Sequence, residues 1–336
     1  MKKIIKIVNT QEQNVLDIRF WPTDICNYDC SYCFPGSKDG VYRYPKNIDT
    51  VVRNFRILFD FYKEKFCKTS FRVNLVGGGE PTMWPHFSTF CEEIKRHHDV
   101  RLQLTTNGSR TMRWWEENYH FLDKVVLSSH GEFCDPKHLI EVADFLHGKE
   151  LVVNTLVLMD AKNWDVCKSI VDRMLTESQH PWIIEVKTVV DSPGHDINSY
   201  TQEQLNFITQ GLKRIPDGDW LLKRLNILNP FKSIAVYNDG SVKAFKPDEY
   251  ISSRQNGFYG WSCDVAKENL VISYDGSVSG SCQEIIFKDS NLNMFAETFV
   301  EDFNKASVEL GSLICPKILC SCTPDTHITK SAPQRT

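Results

Sequence analysis

From about residue 15 to residue 215, short runs of aliphatic and β-branched residues alternate with longer amphipathic stretches. The strand-like runs are Leu16–Trp21, Phe71–Val76, Arg101–Thr106, Lys124–Ser129, Leu151–Met159 and Trp182–Val190. Helical periodicity occupies the intervals around 48–66, 86–98, 111–120, 136–147, 163–177 and 201–213. Strand–helix units in series predict an α/β fold, a parallel sheet with helices on its outer face. The strands read as nearly continuous apolar runs, as parallel strands do when both faces are covered. Six units fit either an open doubly wound sheet or an incomplete barrel, and periodicity alone does not choose.

Beyond Pro216 the pattern changes. Val236-Tyr237-Asn238-Asp239-Gly240-Ser241-Val242 and Ser273-Tyr274-Asp275-Gly276-Ser277-Val278 each set Asp-Gly between β-type residues, a strong hairpin signal. The expected organisation is a core over 1–215, a small hairpin-rich region over 216–323, and a polar, poorly ordered tail over 324–336.

Composition narrows the function classes. A chain of 336 residues can bury a large core. Lys+Arg 39 against Asp+Glu 43 gives a net charge of −4, which offers no basic excess for a nucleic-acid polymer. No run approaches the roughly 20 apolar residues that cross a bilayer, and the basic start Met1–Lys6 lacks the apolar stretch of a signal peptide. A cytoplasmic protein without a membrane partner is expected. Twelve cysteines are then notable, because in a reducing compartment clustered cysteines are metal ligands or catalytic groups rather than disulfides. Cys67, Cys91, Cys134 and Cys167 stand alone within helix-like segments and read as small buried apolar residues.

The candidate chemistry lies just after each strand-like run. Cys26-Asn-Tyr-Asp-Cys30-Ser-Tyr32-Cys33 follows the first. A four-iron cluster takes four ligands and thiolates are the usual ones, so this run of three leaves one iron open. The competing reading is zinc, which pairs such thiols with a second, distant group. Gly77-Gly78-Gly79-Glu80-Pro81 follows the second strand, a segment whose backbone can approach a ligand without a Cβ in the way. Thr105-Thr106-Asn107-Gly108 ends the third and Ser128-Ser129-His130 the fourth, supplying short hydroxyl, amide and imidazole groups. Lys187, with Glu185 and Asn154, lies on later strands. Downstream, Cys263 and Cys282 flank the Asp275-Gly276 hairpin, and Cys315, Cys320 and Cys322 return with three more thiols. Four of these five suffice for a second cluster, with a structural Cys₄ zinc site as the alternative.

The cysteine spacing with Tyr32 before its last member, followed by Gly78-Gly79-Glu80-Pro81 and Thr105-Thr106-Asn107-Gly108, resembles the radical S-adenosylmethionine (SAM) superfamily. That resemblance implies a partial (β/α)₆ TIM-like barrel with a [4Fe-4S] cluster on Cys26, Cys30 and Cys33. It implies SAM chelated at the open iron and contacted by Tyr32, Gly78–Pro81, Thr105–Asn107, Ser128 and Ser129. A 5′-deoxyadenosyl radical would then take a hydrogen atom from substrate, with His130 and Lys187 as candidate catalytic residues. The C-terminal cysteines resemble the SPASM and twitch auxiliary-cluster regions; five of them favour the single-cluster type. Such a cluster would accept the second electron of a substrate oxidation. The partners implied are an external flavodoxin- or ferredoxin-like donor and a small polar substrate such as a sugar, nucleoside or amino acid derivative. Radical modification of a ribosomally made peptide is the alternative. A first barrel strand near residue 16 leaves no room before it for the leader-binding module of peptide-modifying members. Two other classes stay open at this point, a non-enzymatic iron–sulfur protein and a zinc-stabilised binding protein.

Overall fold

The computed structural model describes residues 2–10, 14–33, 43–96, 99–178, 183–192, 195–196, 200–210, 233–245, 247–280, 292–307, 310–320 and 323–333. Its larger sheet contains β2 (Val15–Phe20), β3 (Ser70–Leu75), β4 (Val100–Thr106), β5 (Lys124–His130), β6 (Val152–Met159) and β7 (Ile183–Thr188). These pair in sequence order, all parallel. The intervening helices are α1 (Ile48–Phe66), α2 (Phe87–Lys95), α3 (Met112–Asn118), α4 (Pro136–Gly148) and α5 (Trp164–Glu177), with α6 (Gln202–Gln210) after β7. Capping fixes several ends: Asn47 accepts from Thr50 N to start α1, and Asp135 accepts from Lys137 N and His138 N to start α4, ahead of Pro136. Residues 211–213 of the expected sixth helix lie outside the described residues.

Alternation along the strands separates two faces. Leu16, Ile18 and Phe20, then Phe71, Val73 and Leu75, then Leu102 and Leu104, then Val125 and Leu127 join one buried cluster with apolar residues of the helices. Their neighbours in sequence point the other way. The helices thus cover one face, and the opposite face becomes the concave interior of a partial TIM-like barrel, as the resemblance implied.

The C-terminal region is built into this frame. After the small pair β8 (Val190–Ser192) and β9 (His195–Asp196), the expected Asp239-Gly240 hairpin joins β10 (Ser233–Tyr237) to β11 (Val242–Phe245). Further on come β12 (Ser262–Cys263), β13 (Asn269–Ile272), β14 (Val278–Ser279), β15 (Leu313–Ile314) and β16 (Lys330–Ser331). The second hairpin, β13 to β14, does not stand apart: β13 pairs in parallel with β2 and extends the barrel sheet. Conversely, β1 (Ile4–Asn9) leaves the barrel and pairs with β10 and β16 in a six-stranded sheet ordered β11-β10-β1-β16-β12-β15. The stretch after Thr323 is therefore not a loose tail up to residue 331. Ile328 is buried, and Lys330 Nζ donates to the Asp325 and Ile328 carbonyls. Among the described residues no helix is long and apolar enough to cross a membrane.

Polar residues crowd the concave face, and the best anchored pair sits low on it. Arg72 Nη1 donates to Asp17 Oδ1 at 2.7 Å and Oδ2 at 3.0 Å, with the Arg72 side chain only 2% exposed. Removing one partner of such a buried pair costs about 3–5 kcal/mol, because the remaining charge stays buried. Arg72→Met is accordingly expected to lower the urea midpoint of the apoprotein by an amount equivalent to about 3–5 kcal/mol; a change below about 1 kcal/mol contradicts the assignment.

Candidate active site

The glycine loop after β3 is pressed against the chain that carries the cysteines. Gly79 N donates to Thr23 O at 2.9 Å and Glu80 N to Ile25 O at 2.7 Å. A Cβ on Gly79 would lie 2.0 Å from Ile25 O, and Gly78, at φ +65°, would place one 2.7 Å from Thr23 O. Only glycine permits this approach. Pro81 opens a 3₁₀ turn, Pro81–Met83, that Glu80 caps with its side chain.

Glu80 is 3% exposed, and its carboxylate collects donors from two loops. Oε1 accepts from Thr82 N (3.1 Å), Thr82 Oγ1 (2.7 Å) and Thr106 Oγ1 (2.7 Å), and Oε2 accepts from Asn107 N (2.7 Å). Burial pushes its carboxyl above the usual carboxylate range while these donors pull it back. The carboxylate therefore acts as a tie between the ends of β3 and β4. The Asn107 amide continues the chain of contacts, donating to Asn27 Oδ1 at 2.9 Å and lying 4.0 Å from Cys26 Sγ, while Asn27 donates to Ser109 Oγ at 2.9 Å.

The other side of the cysteine loop is held by the end of β5. His130 Nδ1 lies 3.4 Å from Cys30 Sγ and 3.1 Å from the Tyr32 hydroxyl, with the Tyr32 and His130 rings stacked at 6.0 Å. Glu132 accepts from Ser31 N at 2.7 Å and from the Ser31 hydroxyl. Cys30 is buried whereas Cys26 and Cys33 are exposed. Burial, aided by Glu132, pushes the Cys30 thiol up to about 11, and Cys26 and Cys33 lie within electrostatic reach of it. These three thiols on one short loop, two of them open to incoming iron, suit a cluster as ligand. A cavity of about 140 Å³ adjoins them, lined among others by Tyr28, Asn107, Ser109 and Phe133.

The structure thus brings together Cys26, Cys30, Tyr32, Cys33, Gly78, Gly79, Glu80, Pro81, Thr106, Asn107 and His130. Thr105 and Ser128 lie on the concave face, since their strand neighbours Leu104 and Leu127 join the helix-side core. Ser129 alternates to that helix side and is fully buried beside Cys134. Lys187 is exposed on edge strand β7, 3.4 Å from Glu185, level with His130 across β6 but two strands away. Asn27 and Glu132 are contacts that sequence reasoning missed. Their partners Ser109 and Ser31 lie far along the chain, and no local pattern marks them.

A second group of thiols forms in the smaller sheet. Cys263, Cys315 and Cys320 are all buried and together line a small cavity of about 20 Å³ beside Lys330. Burial pushes the Cys263 thiol up to about 11; the Lys330 charge opposes this, and Cys315 and Cys320 add to it. Cys282 and Cys322 lie outside the described residues.

The tie yields an expectation. Glu80→Ala leaves Thr106 and the Asn107 amide without their buried acceptor, a cost of about 1–3 kcal/mol for each group left unpaired. Iron retained after reconstitution is expected to fall by about half or more at an unchanged circular-dichroism spectrum. Undiminished iron would show that the tie does not hold the cysteine loop.

Comparison with known proteins follows the same geography. The Radical SAM superfamily model matches residues 22–129, the interval from the cysteine loop to the end of β5. A GTP 3′,8-cyclase of Actinobacillus pleuropneumoniae serotype 5b (strain L20) is 29% identical over 113 residues, 33% of this chain and 31% of that protein. An S-adenosylmethionine-dependent nucleotide dehydratase of a Thermoplasmatales archaeon (strain ISO4-H5) is 26% identical over 153 residues, 41% of this chain and 51% of that protein. The chain thus matches about a third to a half of the length of these curated relatives. Streptococcus suis SuiB bound to its precursor peptide SuiA shares the fold at TM-score 0.51 and 14% identity, over 87% of this chain and 65% of that one. Residues 22–129, with their glycine loop, buried Glu80 tie and three thiols, are a radical SAM domain.

Proposed function

We propose that the protein is a radical SAM enzyme that abstracts a hydrogen atom from a small polar substrate held on the concave face of the barrel. The observation that carries this reading is the convergence of the β3, β4 and β5 loops on one three-cysteine loop. Cys26, Cys30 and Cys33 would hold a [4Fe-4S] cluster, which with bound SAM supplies a 5′-deoxyadenosyl radical when an external flavodoxin- or ferredoxin-like donor delivers an electron.

The chain's own groups do the rest. Gly78 and Gly79 keep the loop backbone close to the cysteines, and Glu80 fixes Thr106 and Asn107 opposite them. Tyr32 and His130 close the β5 side as a stacked pair, limiting water at the site. Asn107, which reaches Cys26, is placed to hydrogen-bond SAM as well. Thr105, Ser128 and His130 then face the space below, where a substrate would sit.

Cys263, Cys315 and Cys320, completed by Cys282 or Cys322, would hold an auxiliary cluster that takes up the second electron of a net oxidation. Their shared burial supports this, as does Lys330, whose charge offsets that of an anionic cluster. A small substrate is preferred over a ribosomally made peptide because the concave face carries polar groups deep within it.

Two measurements test the reading. Anaerobically reconstituted, dithionite-reduced protein is expected to convert SAM to 5′-deoxyadenosine, and Cys30→Ala to form none; equal yields from both would contradict the site. Iron per chain is expected at about eight, falling to about four in Cys263→Ala/Cys315→Ala. A wild-type value of about four would remove the auxiliary cluster.

A further inference from the structure

The second thiol group has a carboxylate in its midst. Cys263, Cys315 and Cys320 share their small cavity with Asp325 and Lys330. Local pairing fixes each thiol. Cys263 stands opposite Lys330 across the β12–β16 ladder and opposite Leu313 across β12–β15. Cys315 N donates to Trp261 O at 2.8 Å. Cys320 N donates to Asn256 O at 2.8 Å, and the Asn256 side-chain amide donates back to Cys320 O at 2.9 Å. Asp325 follows Cys320 by five residues, in the short helix Thr323–Thr326 that leads into β16.

Asp325 is 1% exposed, and among the described residues neither oxygen of its carboxylate meets a hydrogen-bond donor. Glu80 makes the contrast plain: it is comparably buried, but donors from two loops satisfy it. The nearby ammonium of Lys330 is not spent on the Asp325 side chain. Its Nζ donates to the Asp325 main-chain carbonyl and, at 3.1 Å, to that of Ile328. Lys330 therefore pins the backbone of Asp325 and leaves the carboxylate to the cavity. A buried carboxylate is tolerated when it is hydrogen-bonded, ion-paired or bound to a metal. Among the described residues Asp325 has neither of the first two, and the three thiols beside it are the ligand type of an iron–sulfur cluster.

We propose that Asp325 is the fourth ligand of the auxiliary cluster, in the place that Cys282 or Cys322 would otherwise fill. Three irons are then held by thiolates and one by a carboxylate. This rests on the auxiliary-cluster reading above and completes its ligand set. The total charge is the same as with four thiolates, because each ligand carries one negative charge, and Lys330 faces the same anion. What changes is the character of one iron. Carboxylate oxygen is a harder ligand than thiolate sulfur, so the iron held by Asp325 is the one that leaves on oxidation. Ferricyanide takes one electron from the [4Fe-4S]²⁺ cluster, Fe²⁺ departs, and a [3Fe-4S]⁺ cluster remains.

The test uses full-length Cys26→Ala/Cys30→Ala/Cys33→Ala protein, reconstituted anaerobically with iron and sulfide so that the second site alone is loaded. About four iron per chain are expected, and ferricyanide should produce the electron paramagnetic resonance signal of a [3Fe-4S]⁺ cluster. Adding Asp325→Cys should keep about four iron and cut that signal at least about fivefold. Adding Asp325→Ala should give the three-iron cluster before any oxidant is present. Adding Cys282→Ser/Cys322→Ser should leave both iron and signal as they were. A signal indifferent to Asp325→Cys overturns the assignment. So does a cluster that survives intact in Asp325→Ala and is lost in Cys282→Ser/Cys322→Ser. Parent protein that loads no iron defeats the auxiliary-cluster reading itself, and the carboxylate ligand with it.

Discussion

One buried carboxylate organises the upper end of the barrel. Among the described residues Glu80 has no cationic hydrogen-bond partner; two backbone amides and two threonine hydroxyls satisfy it instead. A carboxylate so deeply buried is tolerable only when its lone pairs are used, so the loops after β3 and β4 are constrained to one mutual arrangement. The glycines before Glu80 extend that arrangement to the cysteine loop, since their missing side chains let Thr23 and Ile25 carbonyls receive the loop amides. Glu80 therefore works as a positioning residue, and what it positions is Asn107 and the Cys26 end of the loop.

The two sheets are interlocked rather than strung in series. The first strand of the chain lies in the smaller sheet, and a strand from the C-terminal half extends the larger one beside β2. Trp21 N, just ahead of the cysteine loop, donates to Ile272 O at the end of that inserted strand. A thiol group built on the smaller sheet is thus mechanically coupled to the barrel that holds the first three cysteines.

Much of this was legible in the sequence because the signals were local. The six strand-like runs match β2 to β7 closely, since apolar continuity and helical periodicity are properties of adjacent residues. The motif positions were legible for the same reason, each falling at a strand's C-terminal end where barrel sites are built. The placement of β1 and β13 was not legible, because a strand of four to six residues carries no mark of which distant partner it will pair with. Ser129 shows a finer limit: it neighbours two residues that face the interior, and only register reveals that it points to the helices instead. Glu132 and Asn27 are of the same kind, held in place by partners far along the chain.

The account turns on an open iron beside the Glu80-tied loops. The most direct measurement is the electron paramagnetic resonance spectrum of the anaerobically reduced protein, recorded with the C-terminal thiols intact, before and after SAM is added. Coordination of SAM at the open iron should shift the g-values of one cluster signal while leaving any second signal in place. A spectrum that SAM leaves unchanged, in protein with its full iron content, would contradict the account.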